Sequence, residues 1–102
     1  MTYDKNKLKS KGDEYCKNFS LSITQILGFG TQGIVYKTSR NTAIKIHDLF
    51  NGYNREKQAY IRLEQQNIFT IERFSIPRLY NFNDSLFVLE MSIVHVPCIL
   101  DF

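Results

Sequence analysis

Between Ile23 and His47 three apolar runs follow one another with only short turns between them, and this spacing leaves little choice of fold. Residues Leu27 to Val35 read LGFGTQGIV, and Thr42 to Lys45 read TAIK. The pattern predicts strands over Ser20–Phe29, Ile34–Ser39 and Thr42–His47, with Gly28–Gly33 as the first turn and Arg40-Asn41 as the second. Turns this short join antiparallel neighbours, because a parallel return needs a crossover of a dozen residues or more. In the third strand Ala43, Lys45 and His47 share one face, while Ile44 and Ile46 share the other.

Beyond this meander, Asp48–Asn54 reads as a loop and Tyr53–Gln66 as the one convincing helix. Tyr53, Glu56, Tyr60 and Leu63 recur at steps of three and four, so they form one face. Lys57, Arg62 and Gln65 fall off it. Thr70–Phe74 reads as a connector. Pro77–Asn81 and Leu86–Met91 read as two further strands, joined by the turn pair Asn83-Asp84. The expectation is an α+β domain: a five-stranded antiparallel sheet with one main helix, in the order βββαββ.

A chain of 102 residues makes one small domain, and 43% hydrophobic with 14% aromatic residues argues against disorder. Its net charge of +3 is uneven. Lys5, Lys7, Lys9 and Lys11 face only Asp4, so residues 1–19 read as a flexible lysine-rich leader, with at most a short helix around Asp13–Asn18. From Asp13 onward acids and bases balance, which argues against nucleic-acid binding by the domain. The folded unit is expected over 20–92, followed by a tail over 93–102. Cys16 and Cys98 form neither a disulfide framework nor a zinc pattern, so the default setting is reducing and cytoplasmic. The leader has no apolar core of a secretory signal, and no apolar run approaches a membrane span.

The chemistry centres on Gly28, Gly30 and Gly33, which fit G-x-G-x-x-G. Without a Cβ, such a backbone can approach phosphate oxygens and offer N–H groups to them. A dinucleotide site would need a helix after the glycines, and Walker A would need GK[ST]; the Ile-Val-Tyr-Lys that follows is a strand pattern. Lys45, flanked by Ala43, Ile44 and Ile46, needs a partner if its strand is central. Glu56 on the apolar helix face is the candidate. A purely structural ion pair remains open on these residues, as does a small β-rich domain whose glycines only make a turn. His47 reads as a strand-end surface histidine. His95 and Cys98 lack the third group that a dyad needs. Phe69, Phe74, Tyr80, Phe82 and Phe87 read as core or interface aromatics.

Taken together, LGFGTQGIVYK, TAIK, the helical glutamate of EKQAYIRL, IPRLYNF and FVLEM resemble the small, ATP-binding lobe of a bacterial protein kinase of the eukaryotic Ser/Thr type, over Ile23 to Met91. The signature G-x-G-x-x-G-x-V with V-A-I-K is met by Gly28, Gly30, Gly33, Val35, Ala43 and Lys45, with Thr42 in place of the first Val. The resemblance implies that Gly28, Phe29, Gly30, Thr31, Gln32, Gly33 and Lys45 surround the ATP phosphates, with Lys45 paired to Glu56. It implies an adenine pocket from Leu27, Val35 and Ala43, Leu89 as gatekeeper, and the backbone of Glu90 to Ser92 as hinge. Lys45 and Glu56 stand only 11 residues apart, closer than in most members. No catalytic loop and no D-F-G follow; Asp101-Phe102 comes too soon after the hinge to be one. No catalytic or metal-binding residue is therefore expected in this chain, and Mg2+ is expected only with ATP in the complete enzyme. The implied partner is a kinase large lobe, in cis or in trans. The alternative is a non-catalytic split-kinase or kinase-mimic module that pairs with a separate large lobe.

Overall fold

The computed structural model describes residues 3–71 and 74–94, with residues 71 and 74 by backbone alone. Two helices pack on opposite faces of one five-stranded antiparallel sheet. The elements are α1 (Lys5–Asn18), β1 (Ile23–Phe29), β2 (Gly33–Thr38), β3 (Thr42–His47), α2 (Phe50–Gln65), β4 (Thr70–Ile71), β5 (Phe74–Ser75), β6 (Leu79–Asn83) and β7 (Val88–Ser92). The sheet order is β1-β2-β3-β7-β6, and β4 and β5 make a separate small hairpin. The expected α+β class and five-stranded antiparallel sheet are present; a second helix and the hairpin are added, the latter where a connector was expected.

The first correction concerns the lysine-rich leader. Residues 5–18 form α1, started by the Asp4 side chain, which accepts hydrogen bonds from the Asn6 and Lys7 N–H groups. Leu8, Gly12, Tyr15 and Cys16 line its buried stripe at helical spacing. At Gly12 the helix comes so close to the sheet that a Cβ would lie 3.1 Å from the Cδ1 of Ile46. Of the lysines that mask this stripe, Lys5, Lys7 and Lys9 are exposed, and Lys11 is half-buried with its ammonium over the Phe87 ring. Burial among these apolar neighbours pushes the Cys16 thiol up to about 11.

Strand alternation sorts the rest of the core. Ile34, Tyr36, Ile44, Ile46 and Val88 meet Tyr3, Leu8, Tyr15 and Cys16 under α1. Val35, Ala43, Leu89 and Met91 face the other way and meet Tyr53 of α2. With a helix on each face, all six residues of β3 are buried.

Backbone geometry moves several expected boundaries. β1 begins at Ile23 because Ser20, just past the end of α1, takes a left-handed conformation (φ 56°). β7 begins at Val88 because Phe87 does the same (φ 59°). α2 starts at Phe50, three residues early, leaving only Asp48 and Leu49 after β3. Lys57, expected off the apolar face, is buried and donates to Asp84, which also accepts from the Tyr53 hydroxyl. Of the aromatics expected in the core or at an interface, Phe69, Tyr80 and Phe82 are exposed, outside the core. His95, Cys98 and Asp101-Phe102 lie outside the described residues. Among the described residues no helix is long and apolar enough to cross a membrane.

Candidate functional site

The site is built on the end of β3, where Lys45 pairs in register with Val35 on one side and Leu89 on the other. That central position buries the lysine to 7% exposure, and the α2 face is where its charge must be met. Glu56 meets it: Lys45 Nζ donates to Glu56 Oε1 at 2.7 Å. The short passage from β3 into α2 brings the second turn of the helix directly over the strand.

Glu56 has a second partner. His47 Nε2 lies 3.2 Å from its other oxygen, Oε2. A carboxylate can only accept, so Nε2 carries the proton of this bond. The surface-histidine expectation is thus corrected, since His47 is fully buried, with its ring edge-on to Tyr53. The sequence signal was its two-residue spacing from Lys45, which puts both side chains on one face. Burial by itself would raise the Glu56 carboxyl, but the His47 hydrogen bond and the Lys45 charge outweigh it and hold the group below the usual carboxylate range.

The glycine-rich segment divides into strand and turn. Gly28 and Phe29 belong to β1, paired with Val35 and Ile34, and the register slips between Ile26 and Gly28 as in a β-bulge. The turn proper is Gly30–Gly33, closed by the Gly30 N–H on the Gly33 carbonyl at 3.0 Å, with Thr31 and Gln32 exposed at its tip. Gly33 is required by the sheet, because a Cβ there would lie 2.0 Å from the Ile46 carbonyl oxygen. Asp48 N–H donates to the Gln32 carbonyl at 2.9 Å. The Gln32 amide oxygen lies 3.7 Å from where a Gly52 Cβ would stand. The turn, the end of β3 and the first turn of α2 therefore converge.

Of the expected phosphate-side residues, Gln32, Gly33, Lys45 and Glu56 are brought together around this junction, with Gly30 and Thr31 in the same turn. Phe29 is set apart, pointing to solvent under the ammonium of Lys5 at 4.2 Å.

The expected adenine side is apolar. Leu27, Val35, Ala43 and Leu89 do join one apolar cluster, together with Met91 and Tyr60. They pack against one another between the sheet and α2. Leu89 stands level with the ion pair; the residue across from Ala43 is Met91. Glu90 and Ser92, expected as hinge, lie inside the sheet, Glu90 paired with Ile44 and Asn81 and Ser92 with Thr42. The Ser92 N–H donates to the Arg78 carbonyl and its hydroxyl accepts from the Arg78 N–H.

The Glu90 side chain lies on the α1 face, completely buried. It accepts from Tyr15 Oη (2.7 Å), Arg40 Nε (2.7 Å) and Thr42 Oγ1 (2.6 Å). Arg40 also donates through Nη2; burial opposes ionisation of Glu90, but these three residues hold it below the usual carboxylate range. This network ties α1 to β7 through the body of the sheet. It went unread because its members are scattered from Tyr15 to Glu90, and only the folded sheet joins them.

A scan against known protein families finds no match, and a search of curated proteins finds no significant relative.

Proposed function

We propose that this chain is the ATP-binding small lobe of a protein-kinase-like phosphotransferase, in which Lys45 holds the α- and β-phosphates and Glu56 holds Lys45. The observation that carries the reading is the 2.7 Å Lys45–Glu56 ion pair, set between a central strand and the helix that follows it and placed beside a glycine turn. A buried lysine fixed by a carboxylate is a cation of defined position, and the turn adds backbone N–H donors next to it. That combination suits phosphate oxygens.

In this reading the base lies against Leu27, Val35 and Ala43, with Met91 rather than Leu89 at the end of the apolar wall. The first residues past the sheet ladder, Ile93 and Val94, take the hinge role in place of Glu90 and Ser92. The 102-residue sequence holds no catalytic loop and no metal-binding D-F-G. Transfer to a protein hydroxyl is therefore assigned to a large lobe, in cis or in trans, which would also complete the Mg2+ site. A non-catalytic module that lends this site to a separate large lobe is the second reading. It is favoured by the exposed aromatics Phe69, Tyr80 and Phe82, which offer apolar surface to a partner.

The test is a thermal-shift titration with Mg-ATP. The wild-type protein is expected to gain stability with ligand, by about 1.4 kcal/mol for each tenfold rise of ligand above its dissociation constant. Lys45→Ala is expected to lose most of that gain. A full shift retained in Lys45→Ala, or none in the wild type even with a large lobe supplied, sinks the reading.

A further inference from the structure

We propose that Tyr3 is a positioning residue for the glycine-rich turn, its hydroxyl fixing the Gly30 and Gly33 carbonyls from the α1 side so that the turn presents the Thr31 N–H on the side of the sheet that carries Lys45. The consequence for ligand rests on the phosphate-binding reading above; the contact itself does not. Tyr3 Oη lies 2.5 Å from the Gly30 carbonyl oxygen and 3.1 Å from that of Gly33, across 27 and 30 residues of chain. One proton serves one acceptor at a time, and both acceptors are in reach.

The chain delivers Tyr3 to this place by local rules. Asp4 caps α1, so Tyr3 is the residue just before the cap and Leu8 is the fourth helical residue. Side chains at those two positions meet as a hydrophobic staple, and both are buried in the α1-side core. Lys5, the next residue, sets its ammonium 4.2 Å from the Phe29 ring centre, on the strand that enters the turn. The N-terminal segment thus grips the outside of the turn at two points.

Peptide planarity carries that grip to the other side. In a trans peptide the C=O and the following N–H point in opposite directions. Holding the Gly30 carbonyl on the α1 side turns the Thr31 N–H away from α1, which is the side of Lys45. Asp48 N–H holds the Gln32 carbonyl towards the end of β3, which fixes the next peptide plane with the Gly33 N–H turned away from that strand. Glycine peptides otherwise reorient easily. A turn already in its ligand-ready arrangement avoids the ordering cost at binding. Residues 3–5 are therefore part of the phosphate cradle without touching phosphate.

Tyr3→Phe removes the oxygen and keeps the ring in the core. Backbone order parameters for residues 30–33, and Mg-ATP affinity, are the readouts. The expected result is lowered order at Thr31, Gln32 and Gly33, with Ile44 and Val88 unchanged, and affinity weaker by about three- to tenfold, the range of one neutral hydrogen bond. Asp4→Ala, which misdirects Tyr3 by uncapping α1, is expected to loosen the same residues and gives a second arm should Tyr3→Phe fold poorly. Unchanged order in the turn overturns the proposal. So does loosening spread evenly over Ile44 and Val88, or a loosened turn with wild-type affinity. If the wild type binds no Mg-ATP, the phosphate reading fails alone, and the order parameters still decide whether Tyr3 holds the turn.

Discussion

Glu56 divides its two carboxylate oxygens between Lys45 and His47, and this division sets what each residue can do. The other ring nitrogen of His47, Nδ1, is buried and has no hydrogen-bond partner among the described residues. His47→Ala should leave the Lys45 contact in place but cost about 1–2 kcal/mol, one charged hydrogen bond, in urea unfolding. The Glu56 and Glu90 carboxyls both sit below their ordinary value. The folded state therefore binds fewer protons than the unfolded chain as pH falls. Their contribution is fully present above the unfolded value of about 4.3 and is lost as pH drops through the lower folded values. Urea midpoints taken from pH 6 to pH 3 should fall steeply, and the fall should be shallower in Glu90→Gln. Removing Arg40 leaves Glu90 buried with only hydroxyl donors. Because the Arg40 side chain is itself 43% exposed, Arg40→Ala should cost about 1.5–3 kcal/mol, the range of a hydrogen bond to a charged group, and a loss below about 1 kcal/mol would mean that the other donors suffice.

α1 is the element whose role changes most between sequence and fold. Its buried stripe covers Ile34, Ile44, Ile46 and Val88, so it acts as one wall of the core. Leu8→Ala should cost about 2–5 kcal/mol, the usual penalty for emptying a buried leucine site, measured by chemical denaturation. Two glycines give a contrasting pair. At Gly12 an added Cβ meets the flexible end of Ile46, and the gain in helix propensity of about 1 kcal/mol offsets the crowding. At Gly33 the added Cβ meets a backbone oxygen that cannot move aside without breaking the β2–β3 ladder. Gly12→Ala should be near neutral, and Gly33→Ala should lower the melting temperature sharply; equal effects would contradict the close approach at Gly33. α2 is anchored at two levels, by Glu56 on β3 and by Tyr53 and Lys57 on Asp84 in the β6–β7 turn.

At the scale of the molecule, the two helices grip β3 from opposite faces, so neither half of the core is complete without that strand. Far-UV circular dichroism and tyrosine fluorescence should report the same unfolding midpoint, as expected of one cooperative unit. The meander β1-β2-β3, α2, the β6–β7 pair and the inward-facing Lys45 and Glu56 were legible in the chain. Each depends on periods of two or 3.6 residues and on short turns, which are local properties. The α1 stripe was local as well, but Lys5, Lys7, Lys9 and Lys11 dominate its composition, and charge outweighed spacing in the reading. The rest was decided between elements. Tyr15, Arg40, Thr42 and Glu90 meet only because β7 lies beside β3 and α1 lies across both. Met91, not Leu89, stands beside Ala43 only because of the β3–β7 register. Tyr3 reaches Gly30 only because an N-cap turns it back onto the sheet. By itself the sequence determined the strands, the main helix and the lysine–glutamate pair, because backbone periodicity is written residue by residue. Which face each helix covers, how the buried Glu90 is satisfied and what holds the glycine turn were decided by the tertiary structure, because these contacts join residues 27 to 75 positions apart that no local pattern connects.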